Sequence, residues 1–116
     1  MKLEGMMKQL HDQMNQYEQI NGSILLRENG LHISSRISNE LLDKRRVAAN
    51  IANLFQYFKR INKGDEVNIQ MNCSSGLYMK YIPSQKVILS VFCNGTNSNN
   101  LKDLINHFSL EFQNII

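Results

Sequence analysis

The chain has 116 residues, 42% hydrophobic and 20% charged, with a formal net charge of +3. That is the composition of one globular domain over residues 1–116, long enough to bury a core without staples. It is too weakly basic to argue nucleic-acid binding, and no apolar run is long enough to span a bilayer.

Leu3, Met7, Leu10, Met14 and Tyr17 recur at alternating spacings of four and three, which predicts an amphipathic helix from Leu3 to Ile20. Met1-Lys2-Leu3-Glu4-Gly5 leads into no apolar signal core, so an intracellular, cytoplasmic protein is expected. Next, Ser23–Arg27 and Leu31–Ile37 are β-type runs on either side of Glu28-Asn29-Gly30. This is a hairpin signal, because Asn and Gly both tolerate positive φ. Ser38 to Lys44 is a polar connection or the first turn of the following helix.

Arg45 to Ile61 predicts the central helix. Val47, Ile51, Leu54, Phe58 and Ile61 form one stripe, and Ala48, Ala52 and Phe55 a second beside it, so the apolar arc is wider than one sheet contact requires. Lys59, Arg60 and Lys63 suit its C-terminal end, and Gly64 its termination. Three strands follow, at Glu66–Asn72, Leu77–Ile82 and Val87–Phe92. The turns between them are Ser74-Ser75-Gly76 and Ile82-Pro83-Ser84-Gln85, with Pro83 at the second turn position. Leu101, Leu104, Ile105, Phe108, Phe112 and Ile115 predict a last helix, with Asn100 as its N-cap.

The element order is therefore α-β-β-α-β-β-β-α. Ile24-Leu25-Leu26 and Val87–Phe92 are nearly continuous apolar runs, which are buried on both faces and hence central. Leu31–Arg36 and Glu66–Asn72 alternate, as edge strands do. Hairpin connections then give an antiparallel five-stranded sheet in the order 2-1-5-4-3, with helices on both faces in three layers. Glu66–Asn72 becomes an edge guarded by neither lysine nor proline, next in sequence to the helix with the surplus apolar arc. Self-association is expected there. The seam residues are Glu66, Val67, Asn68, Ile69, Gln70 and Met71, with Ala48, Ala52 and Phe55 on the helix, since alanines permit close helix approach. The alternative flank carries Asn50 and Tyr57.

Catalytic signatures are missing from the sequence. Gly64 and Gly76 stand alone, so there is no phosphate cradle, and His11, His32 and His107 show no metal-binding spacing. The acids Glu40, Asp43, Asp65, Glu66 and Asp103 lie near helix ends, where capping accounts for them. Cys73 and Cys93 read as small apolar fillers. No metal, no cofactor and no enzymatic activity is expected. The one charge cluster, Lys44-Arg45-Arg46, sits at the unfavourable end of the central helix dipole if that helix starts at Asp43, which suggests an acidic partner.

The run from Gly22 to Ser35 resembles the opening hairpin of the roadblock/dynein light chain family: a glycine, an apolar strand, a polar turn with glycine, and a second strand ending in small residues. Val47-Ala48-Ala49-Asn50-Ile51-Ala52 resembles the start of that family's central helix, and the element order matches over essentially the whole chain. The resemblance implies a roadblock/profilin-like α/β fold. It also implies a dimer, with itself or a roadblock paralogue, in which the third strands pair and the central helices lie side by side. Its implied role is binding and regulation or scaffolding of small Ras-like GTPases, including in membrane-associated complexes through partners. The competing reading is a longin- or profilin-like trafficking or cytoskeletal adaptor, or a motor light chain. Longin domains open on a strand and close with two helices, whereas this chain opens on a helix and closes with one.

Overall fold

A computed structural model describes residues 2–37, 43–61, 64–72, 75–94 and 99–116. In chain order these form α1 (Leu3–Met14), β1 (Ile20–Arg27), β2 (His32–Ile37), α2 (Lys44–Ile61), β3 (Glu66–Asn72), β4 (Ser75–Ile82), β5 (Val87–Asn94) and α3 (Asn99–Ile115). Ser38, Glu40, Lys63, Cys73 and Ser74, assigned above to connections, caps and fillers, lie outside the described residues.

The strands form one antiparallel sheet in the order β2-β1-β5-β4-β3, as expected from the contrast between apolar runs and alternating strands. Within β1, successive side chains enter different layers. Ile24 and Leu26 pack with Ile51, Phe55, Met79 and Ile88 beneath α2. Leu25 packs with Leu89, Val91, Ile105 and Phe112 beneath α1 and α3. The α2 helix thus covers one face while linking the two edge strands, and α1 and α3 share the other.

Several boundaries differ from the sequence expectation: Ser75 and Gly76, expected in a turn, already belong to β4, where they pair with Asn72 and Gln70. The helical spacing runs on to Tyr17, but α1 ends at Met14. The Asn15 side chain donates to the His11 carbonyl at 2.8 Å, and Ile20 is already paired with Cys93 in the sheet. Strand pairing outweighs the remaining helical turn, and Tyr17 is left half exposed. At the other end, α3 starts at Asn99, so Asn100 lies inside the helix and is not its cap.

The β1–β2 hairpin closes on a three-residue loop. Gly30 N–H donates to the Arg27 carbonyl at 2.8 Å, Arg27 N–H donates to the Leu31 carbonyl at 2.8 Å, and Leu31 N–H donates to Asn29 Oδ1 at 3.2 Å. Gly30 alone takes positive φ, at 96°, while Asn29 contributes its side-chain acceptor. A Cβ at position 30 would lie 3.2 Å from Ala49 Cα and 3.7 Å from the Cβ atoms of Ala49 and Ala52. The hairpin tip and α2 therefore touch backbone to backbone. Pro83 occupies the second position of the β4–β5 turn, as expected, with Gln85 N–H donating to the Ile82 carbonyl at 3.2 Å.

Gly30→Ala combines a left-handed backbone with that tight approach. It is expected to lower unfolding stability by about 1–3 kcal/mol, read from urea midpoints at constant slope.

Candidate functional site

The α2 helix decides which apolar surface stays outside. Ala48, Ile51, Ala52 and Phe55 are turned onto the sheet and buried, Ala48 and Phe55 completely. This corrects the expectation that Ala48, Ala52 and Phe55 line a seam between helices. The small side chain of Ala52, with that of Ala49, admits the Gly30 loop, and the Phe55 ring lies 5.6 Å from that of Tyr81 in the protomer's own core. The stripe that remains outside lies on the flank that carries Asn50. Leu54 is 39%, Tyr57 59% and Ile61 69% exposed, spaced three and four apart on one face.

The β3 strand borders this surface. Among the described residues β4 is the strand it pairs with, which places β3 at the edge of the sheet. Val67 is buried and Ile69 half buried beneath α2, whereas Asn68, Gln70 and Met71 are exposed. Glu66 is pinned from three sides: the Tyr78 hydroxyl donates to it at 2.7 Å, Lys80 Nζ at 2.9 Å, and Lys102 Nζ of α3 lies 3.7 Å away. Burial pushes its carboxyl up, but the hydrogen bonds from Lys80 and Tyr78 and the two lysine charges outweigh that and hold it below the usual carboxylate range. Burial and this carboxylate together push the Tyr78 phenol well up. Glu66 thus fastens the start of the edge strand to β4 and α3.

At the other end of α2, Asp43 is the N-cap. Its carbonyl accepts from Val47 N–H at 2.9 Å and its Oδ1 from Arg45 N–H at 3.0 Å. Lys44, Arg45 and Arg46 follow, all exposed, and the first turn holds no acid. Three cations at the positive end of the helix dipole cost a few tenths of a kcal/mol or more each, on the order of the usual dipole effect. His32 of β2, hydrogen-bonded to Ser35 Oγ at 2.8 Å, lies close enough to feel this charge. Its pKa is lowered by partial burial, then by Lys44 and Arg45.

A second polar centre carries no signature in the sequence. His11 is fully buried under α1, with Nδ1 2.7 Å from Ser23 Oγ and Nε2 2.8 Å from Ser34 Oγ, while the Asn15 amide donates to Ser23 Oγ at 3.0 Å. A neutral imidazole donates through one nitrogen and accepts through the other, so two hydroxyls satisfy it. Among the described residues no three His, Cys, Asp or Glu side chains gather as a metal site, and no helix is long and apolar enough to cross a membrane.

No protein-family model matches the sequence, and no curated protein does. Solved structures do match. MglB of Myxococcus xanthus superposes with a TM-score of 0.78 at 20% identity, over 97% of this chain and 91% of that one. An MglB with a tetrameric arrangement gives 0.82 at 12%, over 99% and 90%. A Roadblock/LC7 domain from Streptomyces avermitilis gives 0.77 at 14%, over 90% and 92%. This is a roadblock fold. The expected element order and sheet order both hold in it. Within this fold the outward stripe of α2 and the β3 edge are two candidate surfaces, and the basic turn at Lys44–Arg46 is a third.

Burial lowers the His11 pKa to about 4, with His32 adding to the shift and Asp12 opposing it. The unfolded chain therefore binds more protons than the folded one between pH 6.5 and 4, and stability falls as pH drops through that window. His11 is expected to account for about 3 kcal/mol across it, with His32 acting in the same sense. Urea melts at half-unit pH steps check this, and His11→Gln is expected to flatten the slope between pH 6.5 and 5.

Proposed function

We propose that this is a non-catalytic, dimeric, cytoplasmic roadblock protein that binds a small Ras-like GTPase and regulates or scaffolds it. The observation that carries the reading is the open β3 edge lying beside an exposed apolar stripe on α2. A monomer rarely leaves both uncovered, because a strand at the edge of a sheet can accept a further strand and the stripe offers apolar area. Glu66–Met71 pairs antiparallel with its counterpart in a second copy, or in a roadblock paralogue, and the central helices meet through Asn50, Leu54, Tyr57 and Ile61. A stable seam of this kind buries on the order of 1,600 Å².

The GTPase role rests on the sequence resemblance to the roadblock family, and likeness of fold to MglB supports it. Lys44, Arg45 and Arg46 are the residues proposed to meet an acidic partner surface, because they hold three exposed charges where the helix dipole disfavours them. The longin- or profilin-like adaptor is the second reading. The helix that precedes the first hairpin favours the roadblock order over it.

Sedimentation of the purified chain is expected to give twice the monomer mass. Asn68→Pro and Tyr57→Asp are each expected to shift it to the monomer while circular dichroism stays native; folded variants that remain dimeric would remove the seam. Pull-down of small GTPases loaded with GDP or a GTP analogue is expected to capture at least one state. Replacing Lys44, Arg45 and Arg46 together by glutamate is expected to weaken capture by about tenfold or more. Capture of no GTPase in either state would exclude the GTPase role.

A further inference from the structure

The two open edges of the sheet differ in chemistry. The β3 edge has exposed apolar side chains beside it. The β2 edge has cations beside it: Arg36 on the strand, Lys8 on α1, and Lys44 at the start of α2. From this asymmetry we infer that the β2 edge is a docking groove for an extended acidic segment of a partner protein, which adds to the sheet as a further strand. The inference goes beyond the proposed dimer and GTPase contact and depends on neither.

Three observations support it. First, among the described residues β2 pairs only with β1, and none of its six residues is fully buried, whereas the Ser23–Leu26 stretch of β1 is buried throughout. Its edge thus keeps backbone donors and acceptors on the open side, the groups a docking strand uses. Second, a cleft of about 610 Å³ runs along the strand between α1 and the start of α2, lined by Ser34, Ser35, Arg36, Lys8 and Lys44 on its basic side. The two serines are small, and a histidine of the same protomer engages each hydroxyl, so neither side chain obstructs the edge.

Third, the charge balance selects the occupant. Asp12 on the cleft wall is paired with Arg36 at 3.0 Å. Among the described residues that line the cleft, Lys8 and Lys44 then face Glu4. The excess is positive, and a second copy docking edge to edge would bring like charges together. An acidic segment gains from the same field. The irregularity in register between Leu25 and Leu26 places a bulge on β2 near Ile33, which confines the pairing stretch to Ser34–Ile37.

The test uses the full chain with a dye-labelled octapeptide of alternating glutamate and valine, followed by anisotropy and by amide shifts. Saturable binding is expected, with the largest shifts at Ser34–Ile37. Lys8→Glu combined with Lys44→Glu is expected to weaken it about tenfold or more, and an alternating lysine–valine peptide is expected not to bind. Ser35→Pro, which removes a main-chain donor without altering charge, is the second variant and is expected to weaken binding if that donor faces outward. The proposal is overturned if the acidic peptide does not bind, if the double variant binds it equally, or if the shifts fall on Glu66–Asn72. It is also overturned if phosphatidylserine vesicles bind with the same dependence on Lys8 and Lys44 while the peptide does not. Lys8 belongs to neither the proposed seam nor the proposed GTPase contact, so failure of those readings leaves this outcome interpretable on its own.

Discussion

The backbone contact between Gly30 and Ala49 sets the position of α2, and much of the surface follows from it. At 3.2 Å from a hypothetical Cβ there is no room for a side chain on the hairpin tip, and little for one on the helix. Only a face of alanines can sit there. With Ala48 and Ala52 turned down, the 100° step of the helix carries Ile51 and Phe55 into the core as well. Leu54, Tyr57 and Ile61 then have to point away from the sheet. The exposed stripe is thus a geometric consequence of how the hairpin and helix meet.

Polar anchors tie down the two edges of the sheet on the face that α1 and α3 share. On one side His11 reaches from α1 to Ser23 of β1 and Ser34 of β2, so a single neutral side chain links a helix to two strands. On the other, Glu66 of β3 is held by Tyr78 and Lys80 of β4 and approached by Lys102 of α3. Hydrogen bonds to a charged group contribute about 1.5–3 kcal/mol where solvent is partly excluded. Both anchors act on edge strands, which have one neighbour and the least apolar burial. An edge held in register by such contacts presents a fixed backbone, and a fixed backbone loses less entropy when another strand adds to it.

The sheet order was legible because burial on two faces leaves a continuous apolar run, as in Val87–Phe92, while burial on one face leaves alternation, as in Glu66–Asn72. The inner face of α2 was not legible. Its two apolar stripes are adjacent, and hydrophobicity ranks Leu54 and Ile61 above Ala48 and Ala52 for the interior. For Ala52 the reverse holds because the space above the sheet near Gly30 admits only a small side chain, a fact that resides in the hairpin and is invisible in the helix. The end of α1 failed for a related reason. Helical spacing reaches Tyr17, but the backbone at Ile20 is claimed by Cys93 across the sheet. His11 gave no signal, since its partners Ser23 and Ser34 lie 12 and 23 residues away.

The basic turn of α2 belongs to the same logic of edges. Asp43 caps the helix through its own carboxylate, which offsets part of the repulsion that Lys44, Arg45 and Arg46 experience from the dipole. A sequence selected for helix stability alone would place acids in that first turn, and none is there. Cations beside an exposed strand also discourage pairing between identical chains, while apolar side chains beside the other edge favour it. The two ends of one helix therefore give the two edges of one sheet opposite preferences. The C-terminal half of α2 lies by the edge suited to a like chain, and its N-terminal turn lies by the edge suited to an acidic one.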